Sequence, residues 1–161
     1  MRGLVRDENF DFKQPRCEIN FDFRKANFSS NNANSKTLIC LLNQLQPKSL
    51  LSGSKVDIDK VLKKSGGHEY HHIFPRKFLE REGVERKKIN ILGNICFLTR
   101  SDNNTIKDKA PSEYKKQIPD VKKVEYLNSA LIPEKFDMLR YEDFVDERSI
   151  LLEEEGTRLM T

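Results

Sequence analysis

What most limits the fold of this chain is a pair of short apolar runs near its centre, "EYHHIFP" (69–75) and "LGNICFLT" (92–99). Each is long enough for one strand and too short for a helix of several turns. Between them lie "RKFLEREG", which predicts one or two helical turns, and a basic loop, "VERKKIN". After the second run the pattern turns helical. "SDNNTIKDK" predicts a short helix closed before Pro111, and Ser112 is placed to cap "SEYKKQI". "KKVEYLNSALI" and "YEDFVDERSILLEEEGTRL" predict amphipathic helices, with Phe144, Ile150 and Leu151 among the inward residues. Strand, loop, strand, helix is the order through the middle, and the fold class is α+β, mostly helical.

Upstream, residues 1–30 read as irregular and extended, with apolar and polar residues alternating from Cys17 to Phe23 as in a short strand. "SSNNANS" reads as a polar loop. Ser35 is placed to cap a helix "KTLICLLNQLQ", which ends before Pro47. Ser54 or Asp57 opens a further short helix over "VDIDKVLKK", stopped by Gly66-Gly67. A chain of 161 residues suits one domain, or one core with an appendage. Its 37% hydrophobic content, with ten Phe, suffices for a globule.

Charge is unevenly placed. Residues 1–118 carry 23 Lys+Arg against 14 Asp+Glu, and residues 119–161 carry 6 against 11. A basic front before an acidic tail suits a surface that meets a polyanion. Cys17, Cys40 and Cys96 are odd in number and widely separated, with no Cys-x-x-Cys pair, so neither a zinc ribbon nor a disulfide framework is indicated. Cys96 reads as a small core residue and the other two as structural. No secretory leader and no apolar run of membrane-spanning length is present, so no membrane partner is expected and a reducing cytoplasm is.

All three histidines, His68, His71 and His72, fall within five positions. Adjacent residues on a strand point to opposite faces, yet at a strand end running into a turn both rings can reach one small volume. That placement suits a division of labour, with one imidazole holding a metal and the other handling a proton. Oxygen ligands must come from elsewhere, and "DNN" at the start of the next helix offers Asp102, Asn103 and Asn104. One imidazole with amide or carboxylate oxygens and water suits Mg²⁺ or Mn²⁺ rather than a closed zinc site.

"EYHHIFP", "NILGNICFLT" and "SDNNTIKDKAPSEY" together resemble the HNH (ββα-metal) nuclease motif. More narrowly, residues 68–118 resemble the C-terminal nuclease part of GmrSD-like and SspE-like restriction proteins, which attack modified or foreign DNA. The resemblance implies a two-stranded antiparallel hairpin plus short helix over 66–118. An N-terminal strand and helix extension (1–65) and C-terminal helices (119–161) would wrap that core. By position, His71 matches the metal ligand and His72 the general base. Asn94, on the second strand, matches the catalytic-motif Asn that braces the loop and keeps the base oriented. The last ligand falls nine residues after Asn94 and eight before Pro111, at Asn103, with Asn104 as the alternative. Some relatives carry a third histidine one helical turn further on. Here Lys107 stands there, and an ammonium cannot coordinate a cation, so the site has two protein ligands and Lys107 is assigned to a phosphate. Arg76, Lys77, Arg100 and Lys109 are the other candidates for DNA backbone contacts, and Glu69 for an outer-shell support of the strand.

The function these matches imply is Mg²⁺- or Mn²⁺-dependent DNA cleavage by phosphodiester hydrolysis, leaving 5′-phosphate and 3′-hydroxyl ends, in a restriction or antiviral defence protein. The expected partners are DNA and an N-terminal sensor or NTPase domain of a larger protein, or a partner subunit. No "GxxxxGK" loop is present, which places nucleotide hydrolysis elsewhere. A catalytically silent nucleic-acid-binding module of the same fold and an HNH toxin with an immunity partner are the competing functions. Plainer roles stand beside several assignments: His68 as a solvated loop residue, Asn94 as turn chemistry after Gly93, Asn103 as a helix-start residue, and "ERKK" and Glu153 to Glu155 as solvated surface.

Overall fold

The two central runs pair. In the computed structural model, which describes residues 19–29, 31–56 and 70–160, β1 (Tyr70–His72) and β2 (Ile95–Phe97) form an antiparallel hairpin. Tyr70 lies opposite Phe97, His71 opposite Cys96 and His72 opposite Ile95. The rest of the described chain is mostly helical, as the sequence predicts. The elements are α1 (Ala33–Gln44), α2 (Arg76–Arg81), α3 (Arg86–Ile89), α4 (Arg100–Ile106), α5 (Pro111–Tyr114), α6 (Lys123–Ser129) and α7 (Tyr141–Met160).

Every residue of β2 is buried, whereas Tyr70 and His72 of β1 are half-buried. Ile95 and Phe97 pack with Phe23, Phe28, Leu92 and the inner face of α1. Cys96 points the other way, into a cluster with Ile73, Phe74, Ile106, Tyr114 and Phe144. Directly opposed residues of an antiparallel pair share a face. His71 therefore sits on the α4 side with Cys96, and His72 on the N-terminal side with Ile95. The expected divergence of the two rings follows from this pleat.

Long-range polar contacts hold the turn that enters β2. The fully buried Arg148 of α7 donates from Nη1 to the Gly93 carbonyl (2.8 Å), from Nη2 to Ala130 (3.2 Å) and from Nε to Leu131 (3.1 Å). Burial lowers its pKa to about 10. A Cβ at Gly93 would stand 3.2 Å from Ser149 Oγ and 3.3 Å from the Phe23 carbonyl, which leaves no slack for a side chain. Tyr114 donates to the Ile73 carbonyl at 2.7 Å and fixes the residue that follows the histidine pair.

Several local expectations are corrected. Residues 19–23 form no strand, because Asp22 turns the chain. Its side chain accepts from the Arg24 amide at 2.8 Å and its carbonyl from the amides of Lys25 and Ala26, a local pattern that competes with a ladder. α1 starts at Ala33 with Asn32 as its cap, accepting from the Ser35 amide at 2.7 Å; Ser35 is buried and accepts from Ser29 instead. The "VERKKIN" loop contains the helical turn α3. α5 opens on Pro111 after Ala110 with no side-chain cap, which displaces Ser112 from that role.

The inward stripe of α7 is Tyr141, Phe144, Val145, Arg148, Ser149, Leu152 and Gly156. Phe144 is inward as expected, whereas Ile150 is 47% exposed. Glu153 is not simply solvated, because it takes Arg24 Nη1 at 2.6 Å. Cys96 is a core residue and Cys40 is exposed. Cys17, residues 57–64 of the "VDIDKVLKK" segment, His68 and Glu69 lie outside the described residues; Val56, its first residue, is buried and not helical. No described helix is long and apolar enough to cross a membrane.

Candidate metal and proton-transfer site

The site is assembled around α4. Thr99 caps this helix, its hydroxyl accepting from the Asp102 amide at 3.3 Å. Asp102 turns inward to the loop before residue 53. Its Oδ2 accepts from Ser49 Oγ (2.5 Å), the amides of Leu51 and Ser52 (both 2.9 Å) and Ser52 Oγ (3.1 Å). Burial pushes the Asp102 carboxyl up, and those hydrogen bonds more than offset it, so it sits below the usual carboxylate range. Asp102 is thereby committed as an anchor. Successive residues of a helix are about 100° apart, so with Asp102 facing the loop, Asn103 faces β1.

There it meets His71. The ring Nδ1 and the amide Oδ1 are 2.7 Å apart. Burial pushes the His71 pKa down to about 4, with the Asn103 hydrogen bond opposing that fall and His72 adding to it. The ring is therefore neutral near pH 7 and carries one N–H and one lone pair. Its Nε2 is buried with no hydrogen-bond partner among the described residues, so the ring's two nitrogens are not both satisfied by protein. Adjacent ligands of an octahedral Mg²⁺ lie about 3 Å apart. As it stands the amide oxygen accepts from Nδ1–H, which leaves the ring's lone pair on the buried Nε2. A cation held by Nδ1 and Asn103 Oδ1, whose separation is close to that of adjacent ligands, would take the place of that proton, with the ring's N–H moving to Nε2. Asn104 is exposed and does not line the pocket. No group of three or more His, Cys, Asp or Glu side chains comes together among the described residues, so those residues build no closed zinc cage.

His72 turns to the other side. Its Nε2 is 3.1 Å from Asn90 Oδ1, and the Tyr70 ring lies beside it with centroids 6.0 Å apart. Burial lowers the His72 pKa, the Asn90 contact opposes this, and the charge of Arg76 adds to the fall. Despite the divergence, both histidines line one pocket of about 480 Å³, together with Asn103, Arg76, Lys77 and Lys107. Asp108 is the acid on its wall. Arg100 and Lys109 are not among the lining residues, so of the five cations expected to meet a phosphate, Arg76, Lys77 and Lys107 share the pocket. A second pocket of about 450 Å³, between Arg24, Lys88 and Tyr141, contains none of the motif residues.

Asn94 occupies a different place from the one expected. It ends a single 3₁₀ turn, Leu92–Asn94, just before β2, and is fully buried. Its Oδ1 accepts from the Phe74 amide (2.9 Å), and its Nδ2 donates to the carbonyls of Phe74 (3.1 Å) and Ile89 (3.0 Å). Both amide protons are used. Asn94 clamps the turn after β1 to the end of α3 and touches nothing in the pocket, which makes it a positioning residue.

Two residues with roles here carry weaker marks in the sequence. Asp102 is the fourth residue of "TRSD", a Thr-x-x-Asp helix start that flags the cap, although its carboxylate serves a remote loop. Asn90 has no local signal at all.

Asp102→Asn replaces an acceptor of four donors by a group that must turn either its oxygen or its NH₂ toward them. Urea unfolding at pH 7 is expected to show a loss of about 1–3 kcal/mol. Because the folded-state pKa is lowered, this contribution is complete above the unfolded value of about 3.9 and disappears as pH falls through the lower folded value. The gap between wild type and variant should therefore narrow in acid; a gap that holds constant below pH 3 contradicts the anchor role. The chain matches no family model, no curated protein and no solved structure.

Proposed function

We propose that this chain is a metal-dependent DNA endonuclease of the ββα-metal kind, cutting by phosphodiester hydrolysis as the effector of a restriction or antiviral defence protein. The observation that carries the proposal is the 2.7 Å approach of His71 and Asn103 beside a second, separately held histidine in one cation-rimmed pocket. A bound Mg²⁺ or Mn²⁺ would be held by His71 and Asn103 and would supply charge neutralisation at the scissile phosphate. His72 accepts the proton of the attacking water, a contribution of about 10²–10⁴-fold. The P–O bond to the 3′ oxygen breaks as the bond to the water oxygen forms. Arg76, Lys77 and Lys107 draw the DNA backbone into the pocket without reading sequence. A sensor or NTPase domain, in the same protein or a partner subunit, would supply target choice.

The backbone of Lys107 favours an active rather than incidental lysine. With φ 53° and ψ −116°, and the Lys109 amide bonded back to the Ile106 carbonyl at 3.2 Å, Lys107 holds the first central position of a type II′-like turn. Glycine is the ordinary occupant there, and a side chain costs about 1–3 kcal/mol.

Supercoiled plasmid incubated with Mg²⁺ or Mn²⁺ should be nicked or linearised. EDTA should abolish the reaction and His72→Ala should slow it by about 10²–10⁴-fold. Retardation of the DNA without scission by the wild-type chain would reject the enzyme in favour of a binding module. Lys107→Gly should raise Tm by about 2–4 °C or more while reducing the slope of log binding constant against log salt by about 0.9. A lower Tm, or an unchanged slope, removes the phosphate role.

A further inference from the structure

The orientation of Asn90 is fixed from outside the pocket. Its Nδ2 lies 2.8 Å from the Phe28 carbonyl oxygen, which can only accept, so the NH₂ end of the amide faces Phe28. The Asn90 main chain is tied to the same residue, the Phe28 amide donating to its carbonyl at 2.8 Å. Two further bonds dock this segment, from the Leu92 amide to Ala26 (2.8 Å) and from the Gly93 amide to Phe23 (3.0 Å). The side-chain oxygen of Asn90 is left facing His72 Nε2 at 3.1 Å. An amide oxygen cannot donate, so the short contact requires the proton to sit on Nε2. In the neutral ring the lone pair is then on Nδ1.

We propose, on the nuclease reading of this pocket, that Asn90 is the positioning residue that locks His72 as the Nε2–H tautomer and leaves Nδ1 as the atom that takes the water's proton. The N-terminal segment 23–28, remote in sequence from the histidines, thereby sets which nitrogen of the base is active. Phe28 reinforces the arrangement from the same side, its ring 4.6 Å from Tyr70, which in turn flanks His72. Removing the Asn90 acceptor leaves the ring free to rotate and Nε2–H open to solvent, without altering His71, Asn103 or the cations that meet DNA.

The test uses the full chain, metal-free and labelled with ¹⁵N-histidine, at about pH 8.5, two units above the ordinary histidine pKa. His72, assigned by loss of its signals in His72→Ala, should show Nε2 as a protonated nitrogen with an observable N–H proton, and Nδ1 as an unprotonated one. Asn90→Leu should lose that proton resonance and lower kcat for plasmid scission about ten- to a hundred-fold with little change in KM. Asn90→Asp, which keeps an oxygen toward Nε2 but loses the donor to Phe28, should retain the resonance and lower kcat less than Asn90→Leu. A proton on Nδ1 in the wild type, or an unchanged Nε2–H resonance in Asn90→Leu, overturns the assignment; if Asn90→Leu fails to fold, the wild-type spectrum and Asn90→Asp decide. Loss of scission in the wild type with the Nε2–H resonance intact would instead reject the nuclease reading and leave the tautomer standing.

Discussion

One carboxylate oxygen, Asp102 Oδ2, gathers four donors from residues 49–52, and that contact sets the rotation of α4 about its own axis. A seven-residue helix has little hold of its own. Without an anchor in its first turn, the direction of any one side chain on it would be poorly defined. With the anchor in place, the next residue along delivers its amide to a buried imidazole across the hairpin. The geometry at His71 is thus inherited from a loop that never touches the pocket. Buried polar groups that are fully partnered specify one arrangement in this way.

The two histidines receive their different environments from the pleat. His71 shares the Cys96 face and is enclosed by the larger apolar cluster, which keeps the ring neutral. His72 shares the Ile95 face and meets the N-terminal segment. Residues 23–28 pack directly against this core. Segment 23–28 hydrogen-bonds along residues 90–93, and Arg24 ties the same segment to Asp146 and Glu153 on α7. Arg148, reaching back from α7 to the Gly93 carbonyl, closes the circuit from the opposite side. Segment 23–28 and α7 both brace the turn on which Asn94 sits, and Asn94 in turn fixes the backbone that follows the histidine pair.

Much of this was legible where the signal is local. Alternation across a strand separates His71 from His72, the resemblance to the HNH motif points to Asn103, and proline or glycine stands at both ends of α2 and at the start of α5. What escaped depends on partners far along the chain. Asn90 works through a residue 62 positions away and Asp102 through residues about 50 positions away, and no window of sequence contains either pair. Arg148 breaks the apolar stripe of α7 and so reads as surface, whereas three main-chain carbonyls make it core. The apolar run "LGNICFLT" places Asn94 on the strand. Tight packing of Gly93 against Phe23 and Ser149 goes with a 3₁₀ turn there instead. The short alternation ending at Phe23 failed for a related reason: the Asp22 side chain offers the backbone a turn that a lone strand without a neighbour cannot match.

The proposed nuclease needs one small cation gripped jointly from the hairpin and from α4, with the neighbouring ring kept off the ion. Pulsed electron paramagnetic resonance of the Mn²⁺-loaded full chain reads this directly, through the ¹⁴N coupling of a coordinated imidazole. The coupling is expected in the wild type, lost in His71→Ala, preserved in His72→Ala, and seen only at higher Mn²⁺ concentration in Asn103→Ala. Bound Mn²⁺ without nitrogen coupling, or a coupling that disappears with His72 rather than His71, would contradict it.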